Sequence, residues 1–383
     1  MATGKKNSSP IKVMVVDDSA VIRGLFVNLL DSDPDIEIVA TASTGIMAVN
    51  LLAASSAKKI DVDIITLDVQ MPEMDGLTAL PLLLERVPTA KIIMASTLTN
   101  DNAEETVKAL SLGAADYLAK PERSEREAMY AFSRDLIEKV KVLGAIARED
   151  RLRKAAEKKP EAAAVVKPEL VKPKKPPRQI NLRKRSLVEK PKAIAIGSST
   201  GGPQALTQLF RQFKLNKFNV PIFLTQHMPP QFTAMLAKQI SDVSDKQCAE
   251  GKEGEPVIPG RVYVAPGDTH MLVKKVGDNI LINITRDPPE NFCRPAVDPM
   301  LRSLVKVYGS KILVLILTGM GADGMLGCRE VVAQGGAVIA QDEETSVVWG
   351  MPGAVAMDGL CVDVEPLPKL HETLIDLAQG QIQ

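Results

Sequence analysis

The sequence contains few aromatic residues, cysteines and histidines, and each shortage excludes a class of protein. Aromatic residues make up 3% of the 383 positions, with a single tryptophan, which argues against stacking platforms for single-stranded nucleic acid. The four cysteines are scattered without a CxxC pair, which argues against a zinc site or a disulfide framework and is typical of a reducing compartment. We therefore expect a cytoplasmic protein that binds no nucleic acid.

Long apolar runs are also missing. No stretch approaches the roughly 18 apolar residues that a membrane span requires, and the polar N-terminus lacks the apolar core of a secretory signal. Apolar residues nevertheless account for 45% of the chain and charged residues for 25%, which is the composition of a globular protein. The sequence predicts no membrane insertion and, at this length, two or three domains.

Positive charge is unevenly distributed, although the formal net charge is zero. Residues 151–192 contain 15 Lys and Arg against 4 Asp and Glu, together with six prolines. Such a segment cannot bury enough apolar surface to offset its ordering entropy, and its prolines favour an extended chain. We interpret residues 146–191 as a basic linker. An electrostatic contact with nucleic acid, anionic lipid or an acidic partner is the alternative.

The two flanking regions alternate short β-branched runs with helix-length segments. Strands separated by helices predict right-handed βαβ units on parallel sheets, with ligands at the carboxyl ends of the strands. Residues 270–285 differ, because two alternating runs flank Gly277-Asp278-Asn279 and predict an antiparallel hairpin. We expect a doubly wound parallel-sheet domain at 11–145 and a Rossmann-like α/β domain, mainly parallel with the added hairpin, at 192–383.

Polar side chains follow several strands of the first predicted sheet. Asp17 and Asp18 close the first strand, and Asp68 closes the third. Because these strand ends share one edge, the carboxylates converge, and Mg²⁺ or Mn²⁺ would offset their repulsion. Ser96 and Lys120 end the fourth and fifth strands and add a hydroxyl and an ammonium. Such a site is equipped to accept a phosphoryl group, whereas a helix N-cap after the first strand is the alternative.

Three motifs in this region match a known family. They are VVDDS (15–19), LDVQMPEMDG (67–76) and YLAKP (117–121). On these motifs, residues 11–125 resemble the response-regulator receiver domain. The resemblance implies a phosphoacceptor at Asp68 and Mg²⁺ held for phosphorylation by Asp17, Asp18, Asp68 and the carbonyl of Gln70. It also implies a phosphate-sensing switch formed by Ser96, Tyr117 and Lys120.

The second region contains a candidate nucleophile. Residues 197–201 read GSSTG and fit G-x-S-x-G, a turn that lifts a serine hydroxyl above a sheet; an anion-binding loop is the alternative. Among three histidines, His270 begins the hairpin and His371 lies in a polar helical stretch, whereas His227 follows a strand. A lone histidine is more often structural, yet elimination favours His227 as the base. Asp323, after the strand at 311–318, is the candidate carboxylate that orients it.

The loop that contains Asp323 also fits a rival pattern. Residues 319–324 read GMGADG, which matches the dinucleotide fingerprint, and acidic residues 342–344 follow the next strand. Against a nicotinamide-dependent reductase, Asp323 lies inside the loop that would approach a pyrophosphate, and the serine turn and His227 would have no role. A DNA-binding transcription regulator is a third class, but residues 192–383 offer no basic helix-turn-helix.

Four further motifs carry a second resemblance. They are IGSSTGGP (196–203), TQHMP (225–229), LTGMGADG (317–324) and WGMP (349–352). On these motifs, residues 192–380 resemble the catalytic domain of the chemotaxis protein-glutamate methylesterases, the CheB family. The resemblance implies the catalytic residues Ser199, His227 and Asp323, an oxyanion contribution from the Met320 amide and a positioning role for Thr200. Ser198 is the alternative nucleophile, and the spacing to the following TGG favours Ser199.

Together the two resemblances imply a phosphorylation-activated serine esterase that acts in sensory adaptation. Its substrates would be glutamate γ-methyl esters on methyl-accepting chemotaxis receptors, with methanol released and receptor glutamines deamidated as a second activity. A chemotaxis histidine kinase would phosphorylate Asp68, and the esterase chemistry would need no cofactor. The unphosphorylated receiver is expected to cover the cleft at Ser199, and phosphorylation is expected to open it.

Overall fold

The computed structural model describes residues 9–53, 60–97, 99–121, 126–157, 180–184, 190–213 and 219–380. The elements of the first domain are, in chain order, β1 (Ile11–Val16), α1 (Ala20–Asp31), β2 (Ile36–Ala42), α2 (Gly45–Leu51), β3 (Ile64–Asp68), α3 (Gly76–Arg86), β4 (Lys91–Ser96), α4 (Asn100–Ser111), β5 (Asp116–Ala119) and α5 (Arg126–Glu157). The strand order is β2-β1-β3-β4-β5 and every pair is parallel. The predicted doubly wound sheet is confirmed.

The second domain combines a seven-stranded parallel sheet with a separate hairpin. Its elements are β6 (Ala193–Ser198), α6 (Gly202–Gln212), β7 (Ile222–Gln226), α7 (Pro230–Val243), β8 (Cys248–Glu250), β9 (Val262–Val264), β10 (His270–Val276), β11 (Asn279–Thr285), α8 (Val297–Tyr308), β12 (Ile312–Ile316), α9 (Met325–Ala333), β13 (Ala337–Gln341), α10 (Met351–Met357), β14 (Asp363–Glu365) and α11 (Leu367–Gln379). The sheet order is β14-β13-β12-β6-β7-β9-β8, and β10 pairs antiparallel with β11. This confirms the predicted architecture; β8 and β14 were not predicted, because their residues, CAE and DVE, include too few apolar side chains to show a strand pattern.

Helix α5 continues past the boundary predicted at 145, so the first part of the predicted linker is helical. Ion pairs hold this extension: Arg148 and Arg151 contact the buried Asp63 at 3.0 and 2.8 Å. Most of the rest of the predicted linker lies outside the described residues. Within the described segment 180–184, the Arg183 amide donates to the carbonyl of Cys361 at 2.8 Å. The chain therefore contacts the second domain before the boundary predicted at 192.

The two domains pack against each other through α4 and β5 of the first and α6 and α7 of the second. Tyr117 stacks on Phe232 with ring centroids 4.8 Å apart. The side chains of Gln239 and Ser111 are hydrogen-bonded across the same interface. This packing brings the start of β5 to the turn that follows β6. No helix in the described part of the chain is both long and apolar enough to span a membrane.

Candidate phosphoacceptor and active sites

The predicted acidic site lies at the carboxyl edge of the first sheet. Oxygens of Asp17, Asp18 and Asp68 lie within 4.8 Å of one another, and the Lys120 ammonium contacts Asp17 at 2.8 Å and Asp68 at 2.7 Å. Burial, with the charges of Asp17 and Asp18, outweighs the effect of Lys120 and raises the pKa of Asp68. Three carboxylates against one ammonium leave an excess of negative charge, which fits Mg²⁺. Such an ion would neutralise phosphoryl oxygens at Asp68.

The other predicted receiver residues lie at different distances from this cluster. Ser96 is buried at the end of β4, and its carbonyl accepts the amide of Lys120 at 2.7 Å. Gln70 is exposed in the loop after β3, and the role of its carbonyl as a metal ligand stays a prediction. Tyr117 lies against Phe232 of the second domain, so one member of the predicted switch belongs to the domain interface.

Three adjacent strands of the second sheet bring the predicted catalytic residues to one edge. The central strand β6 leads into Ser199, its neighbour β7 into His227, and its other neighbour β12 into the loop of Asp323. His227 Nε2 lies 2.8 Å from Asp323 Oδ2. Ser199 and His227 line the same cavity of about 510 Å³ between the domains. The parallel topology explains this meeting, because neighbouring strands end side by side.

The turn after β6 determines which of the two serines faces the cavity. Gly201 has φ 76°, a left-handed conformation that favours glycine, and a Cβ on Gly202 would lie 2.0 Å from Gln226 Oε1. The Ser198 hydroxyl donates to this oxygen at 2.7 Å and is fully buried. The Gln226 amide nitrogen donates to the Ser199 carbonyl at 2.9 Å. Ser198 is therefore held inside the domain, and Ser199 lines the cavity.

Asp323 is buried and surrounded by hydrogen-bond donors. Burial by itself opposes ionisation, but the hydrogen bond from His227 and nearby backbone amides lower the pKa of Asp323. An ionised carboxylate only accepts, so Nε2 carries the proton and Nδ1 is the nitrogen that can act as a base. The donors other than His227 are the backbone amides of Val297 (2.6 Å), Asp298 (3.1 Å) and Gly324 (2.9 Å) and the side-chain amide of Asn291 (3.0 Å).

Sequence reasoning missed three residues of the segment 290–298. Asn291 Nδ2 donates to Asp323 and, at 3.2 Å, to Asp298, and Cys293 Sγ lies 3.3 Å from His227 Nδ1. Burial raises the pKa of Asp298 to about 6. Asp298 lies in the first turn of α8, whereas residues 290–296 have neither helical nor strand periodicity, and no motif identifies them. The available signal was the presence of amide, thiol and carboxyl groups within nine residues.

Comparison with known proteins identifies the families of both domains. The CheB methylesterase family matches residues 194–374, and the response regulator receiver domain matches residues 13–130. The protein-glutamate methylesterase/protein-glutamine glutaminase of Azospirillum brasilense is 51% identical over 380 residues, which cover 96% of this chain and 93% of that protein. The chain belongs to the protein-glutamate methylesterase/protein-glutamine glutaminase family.

Two further relatives illustrate the extent of the match. The group 2 operon member from Rhodospirillum centenum (strain ATCC 51521 / SW) is 51% identical over 375 residues, which cover 95% of this chain and 93% of that protein. The crystal structure of the Thermotoga maritima CheB methylesterase catalytic domain is 42% identical and covers 49% of this chain and 100% of that chain, with a TM-score of 0.48. The family resemblance predicted from the motifs is confirmed.

The surroundings of His227 favour the protonated form of its imidazole. Burial opposes a positive charge on His227, but hydrogen bonds to Asp323 and Cys293 outweigh it and raise the pKa of His227 to about 10. A protonated imidazole cannot accept the proton of a serine hydroxyl. The raised pKa therefore favours the form of His227 that cannot act as a base.

Contacts from the receiver cover the methylesterase cavity. The Thr200 hydroxyl donates to Asp116 of the receiver at 2.5 Å, and the positioning role predicted for Thr200 stays a prediction. The start of β5 presents a carboxylate to this hydroxyl, and a hydrogen bond to a charged group is stronger than one between neutral groups. The guanidinium of Arg134 on α5 lies 4.6 Å from the ring centroid of Phe292. Both receiver residues line the cavity that contains Ser199.

The loop after β12 contains the predicted oxyanion donor. Among the described residues, the Met320 amide donates to no protein acceptor, and Met320 lines the same cavity as Ser199. A free N–H at this edge is a suitable donor to a developing oxyanion. The buried Asp323 carboxylate in the same loop would repel a pyrophosphate, which disfavours the dinucleotide interpretation.

Proposed function

We propose that this protein is a phosphorylation-activated serine esterase that hydrolyses glutamate γ-methyl esters on methyl-accepting chemotaxis receptors. Deamidation of receptor glutamines is its second activity. The observation that carries the proposal is the hydrogen-bonded pair of His227 and Asp323 beside the Ser199 turn. Family membership supports both activities, since the relatives from Azospirillum brasilense and Rhodospirillum centenum are named for both.

The proposed reaction uses one nucleophile and one base. Ser199 Oγ attacks the γ-carbonyl carbon of the ester while His227 Nδ1 accepts the hydroxyl proton, and the Met320 amide donates to the oxyanion. The tetrahedral intermediate expels methanol, which takes the proton from His227 and leaves an acyl-enzyme. Water then attacks this acyl group, with His227 as base again, and releases glutamate and free Ser199. With glutamine, ammonia is the leaving group.

The proposed regulation depends on β5. At one end of this strand, Lys120 contacts the phosphoacceptor Asp68 at 2.7 Å. At the other end, Asp116 accepts the hydroxyl of Thr200 and Tyr117 stacks on the second domain. A phosphoryl group on Asp68 changes the charge that Lys120 faces, and we infer that the resulting movement of β5 releases the catalytic turn.

The remaining parts of the proposal concern partners and location. A chemotaxis histidine kinase is the proposed phosphodonor, with Mg²⁺ held by the aspartates of the acidic site and the Gln70 carbonyl. The esterase reaction is proposed to use no cofactor, since its nucleophile, base and oxyanion donor all come from the chain. The proposed location is the cytoplasm, where the signalling helices of such receptors and the kinase meet.

Methanol release from methylated receptor membranes tests the proposed function. The Ser199→Ala variant is expected to lose at least about 10³-fold in turnover, because the nucleophile is absent. Ser198→Ala is the matched control: it changes the neighbouring hydroxyl, which is buried against Gln226, and is expected to retain turnover within about threefold. Full turnover by Ser199→Ala would contradict the assignment of the nucleophile.

A further inference from the structure

The catalytic imidazole already has a partner at the nitrogen that Ser199 requires. His227 Nε2 lies 2.8 Å from Asp323 Oδ2, and Nδ1 lies 3.3 Å from Cys293 Sγ. Because the ionised Asp323 accepts the Nε2 proton, Nδ1 must take the proton of Ser199 during the reaction. In this arrangement the thiol occupies that nitrogen.

Both protonation states of the thiol–imidazole pair block Nδ1. With a neutral imidazole, the S–H of Cys293 donates to Nδ1 and uses its lone pair. With the proton transferred, Nδ1 carries it and faces a thiolate. Neither state leaves a lone pair for the Ser199 hydroxyl. An active His227 therefore requires Cys293 to move away.

Cys293 is held in place by a two-residue turn. The backbones of Glu290 and Cys293 exchange hydrogen bonds of 3.1 and 2.8 Å. The residues between them, Asn291 and Phe292, have φ 51° and 62°. Asparagine tolerates this left-handed region, but phenylalanine rarely adopts it. A backbone of this kind persists only where its surroundings fix it, so the position of the thiol depends on contacts made to the turn.

The receiver makes one of these contacts. The Phe292 side chain is 84% exposed, and the guanidinium of Arg134 lies over its ring at 4.6 Å. Arg134 belongs to α5 and lines the cavity that also contains Cys293 and Ser199. Movement of the receiver therefore removes a contact from the turn that places the thiol on the imidazole.

We propose that Cys293 is a positioning residue that holds the catalytic imidazole in an inactive hydrogen bond while the receiver contacts the turn 290–293. When the receiver moves, the Ser199 hydroxyl replaces the thiol as the donor to His227 Nδ1. Only hydrogen bonds are exchanged in this step. The proposal rests on the proposed esterase function. It adds a second means of inhibition: besides covering the cleft, the receiver keeps the base His227 in an inactive hydrogen bond.

Nitrogen NMR of the full-length protein tests the resting hydrogen bond directly. The chain has only three histidines, so ¹⁵N-histidine labelling yields few signals, and His227→Gln assigns those of His227. Without phosphodonor, Cys293→Ala is expected to shift the Nδ1 resonance of His227 while the buried His270 keeps its signals and reports an intact fold. Cys293→Ser retains a donor to Nδ1, and its His227 Nδ1 resonance is expected to stay near the wild-type position. Acetyl phosphate with Mg²⁺ is expected to shift the His227 Nδ1 resonance of wild type toward its position in Cys293→Ala.

Methanol release provides the second readout. Without phosphodonor, Cys293→Ala is expected to react about two- to tenfold faster than wild type, because the inactive state has lost one hydrogen bond. Its pH profile is expected to move to lower pH, since Asp323 and Cys293 are the titratable groups that face the ring and one of them is gone. Cys293→Ser keeps a donor to Nδ1 and is expected to restore the wild-type basal rate, but its pH profile is expected to stay shifted, because a serine hydroxyl does not titrate in this range.

Three outcomes distinguish a failure of this proposal from a failure of the proposed esterase function. An unchanged His227 Nδ1 resonance in Cys293→Ala would overturn the proposal. Methanol release by Ser199→Ala that disappears when Cys293→Ala is added would also overturn it, because Cys293 would then be a nucleophile. If no protein in the series releases methanol, the proposed esterase function fails, and the NMR comparison alone decides the role of Cys293.

Discussion

Two buried aspartates, one in each domain, lie at the carboxyl edge of a parallel sheet but have opposite surroundings. Asp68 shares its edge with Asp17 and Asp18 and contacts a single ammonium, that of Lys120; burial and the like charges raise its pKa. Asp323 is equally buried, yet five hydrogen bonds from the imidazole, an amide side chain and three backbone amides lower its pKa.

This difference fits the roles proposed for the two carboxylates, of which Asp68 reacts and Asp323 orients. A nucleophile needs a free oxygen lone pair, and within the described residues the Lys120 ammonium is the donor that contacts the Asp68 carboxylate. A carboxylate that fixes a histidine tautomer must stay ionised and immobile, and the donors around Asp323 ensure both. The number of donors around a buried carboxylate at a strand end therefore indicates its role better than its burial does.

The largest effect is expected from a substitution of Asp323, the carboxylate with five hydrogen bonds. Asp323→Asn is expected to lower methanol release about 10³- to 10⁴-fold, because an amide can no longer fix the Nε2 proton of His227. Asp298→Asn is the matched control, since this neighbouring buried carboxyl also accepts from Asn291 but does not contact the imidazole. Its loss is expected to stay below about tenfold. Equal losses in the two variants would show that the network acts as a whole and not through Asp323.

A smaller effect is expected where the receiver contacts the catalytic turn. Asp116→Asn weakens the hydrogen bond from Thr200 while it keeps the size of the side chain, so methanol release without phosphodonor should rise about three- to tenfold. Asp135→Asn is the matched control. Both Asp116 and Asp135 form ion pairs with Lys139, and the loss of the Asp135 carboxylate should leave the basal rate unchanged. A basal rate that rises in neither variant would contradict the role of the β5 contact.

The smallest expected effect concerns the pH dependence of stability. Because the folded protein raises the pKa of His227 from 6.5 to about 10, the charged imidazole stabilises the fold fully below pH 6.5 and loses this contribution as the pH rises toward 10. The free energy of unfolding of wild type minus that of His227→Gln is therefore expected to shrink by about 1 kcal/mol or more between pH 6 and pH 10. Urea unfolding at the two pH values measures it. A difference that grows with pH would contradict the proposed charge state.

Residues at strand ends could be predicted from the sequence, because topology alone places them. Once β6, β7 and β12 are identified as parallel strands, Ser199, His227 and Asp323 must lie at one edge. The same reasoning applies to Asp17, which follows β1, and to Asp68, which ends β3. The hairpin, the first sheet and the five inner strands of the second sheet follow from short-range patterns, whereas its edge strands β8 and β14 do not.

Contacts made by irregular segments could not be predicted. The turn at Asn291 and Phe292 depends on a left-handed backbone that the identity of these two residues does not predict. Because this turn places Cys293, the contact of Cys293 with His227 was missed. Thr200 was expected to position the imidazole, but its hydroxyl contacts Asp116, a residue of the other domain. Domain packing depends on surfaces that have no periodic signature, and the length of α5 depends on ion pairs with distant parts of the sequence.

The central claim is that phosphorylation of Asp68 controls the chemistry of Ser199. The most direct test measures methanol release by the full-length protein against the fraction of Asp68 that is phosphorylated in the same sample. The account predicts a rate that rises in proportion to this fraction in wild type and stays at the basal value in Asp68→Asn. A rate in wild type that does not change with the phosphorylation of Asp68 would contradict it.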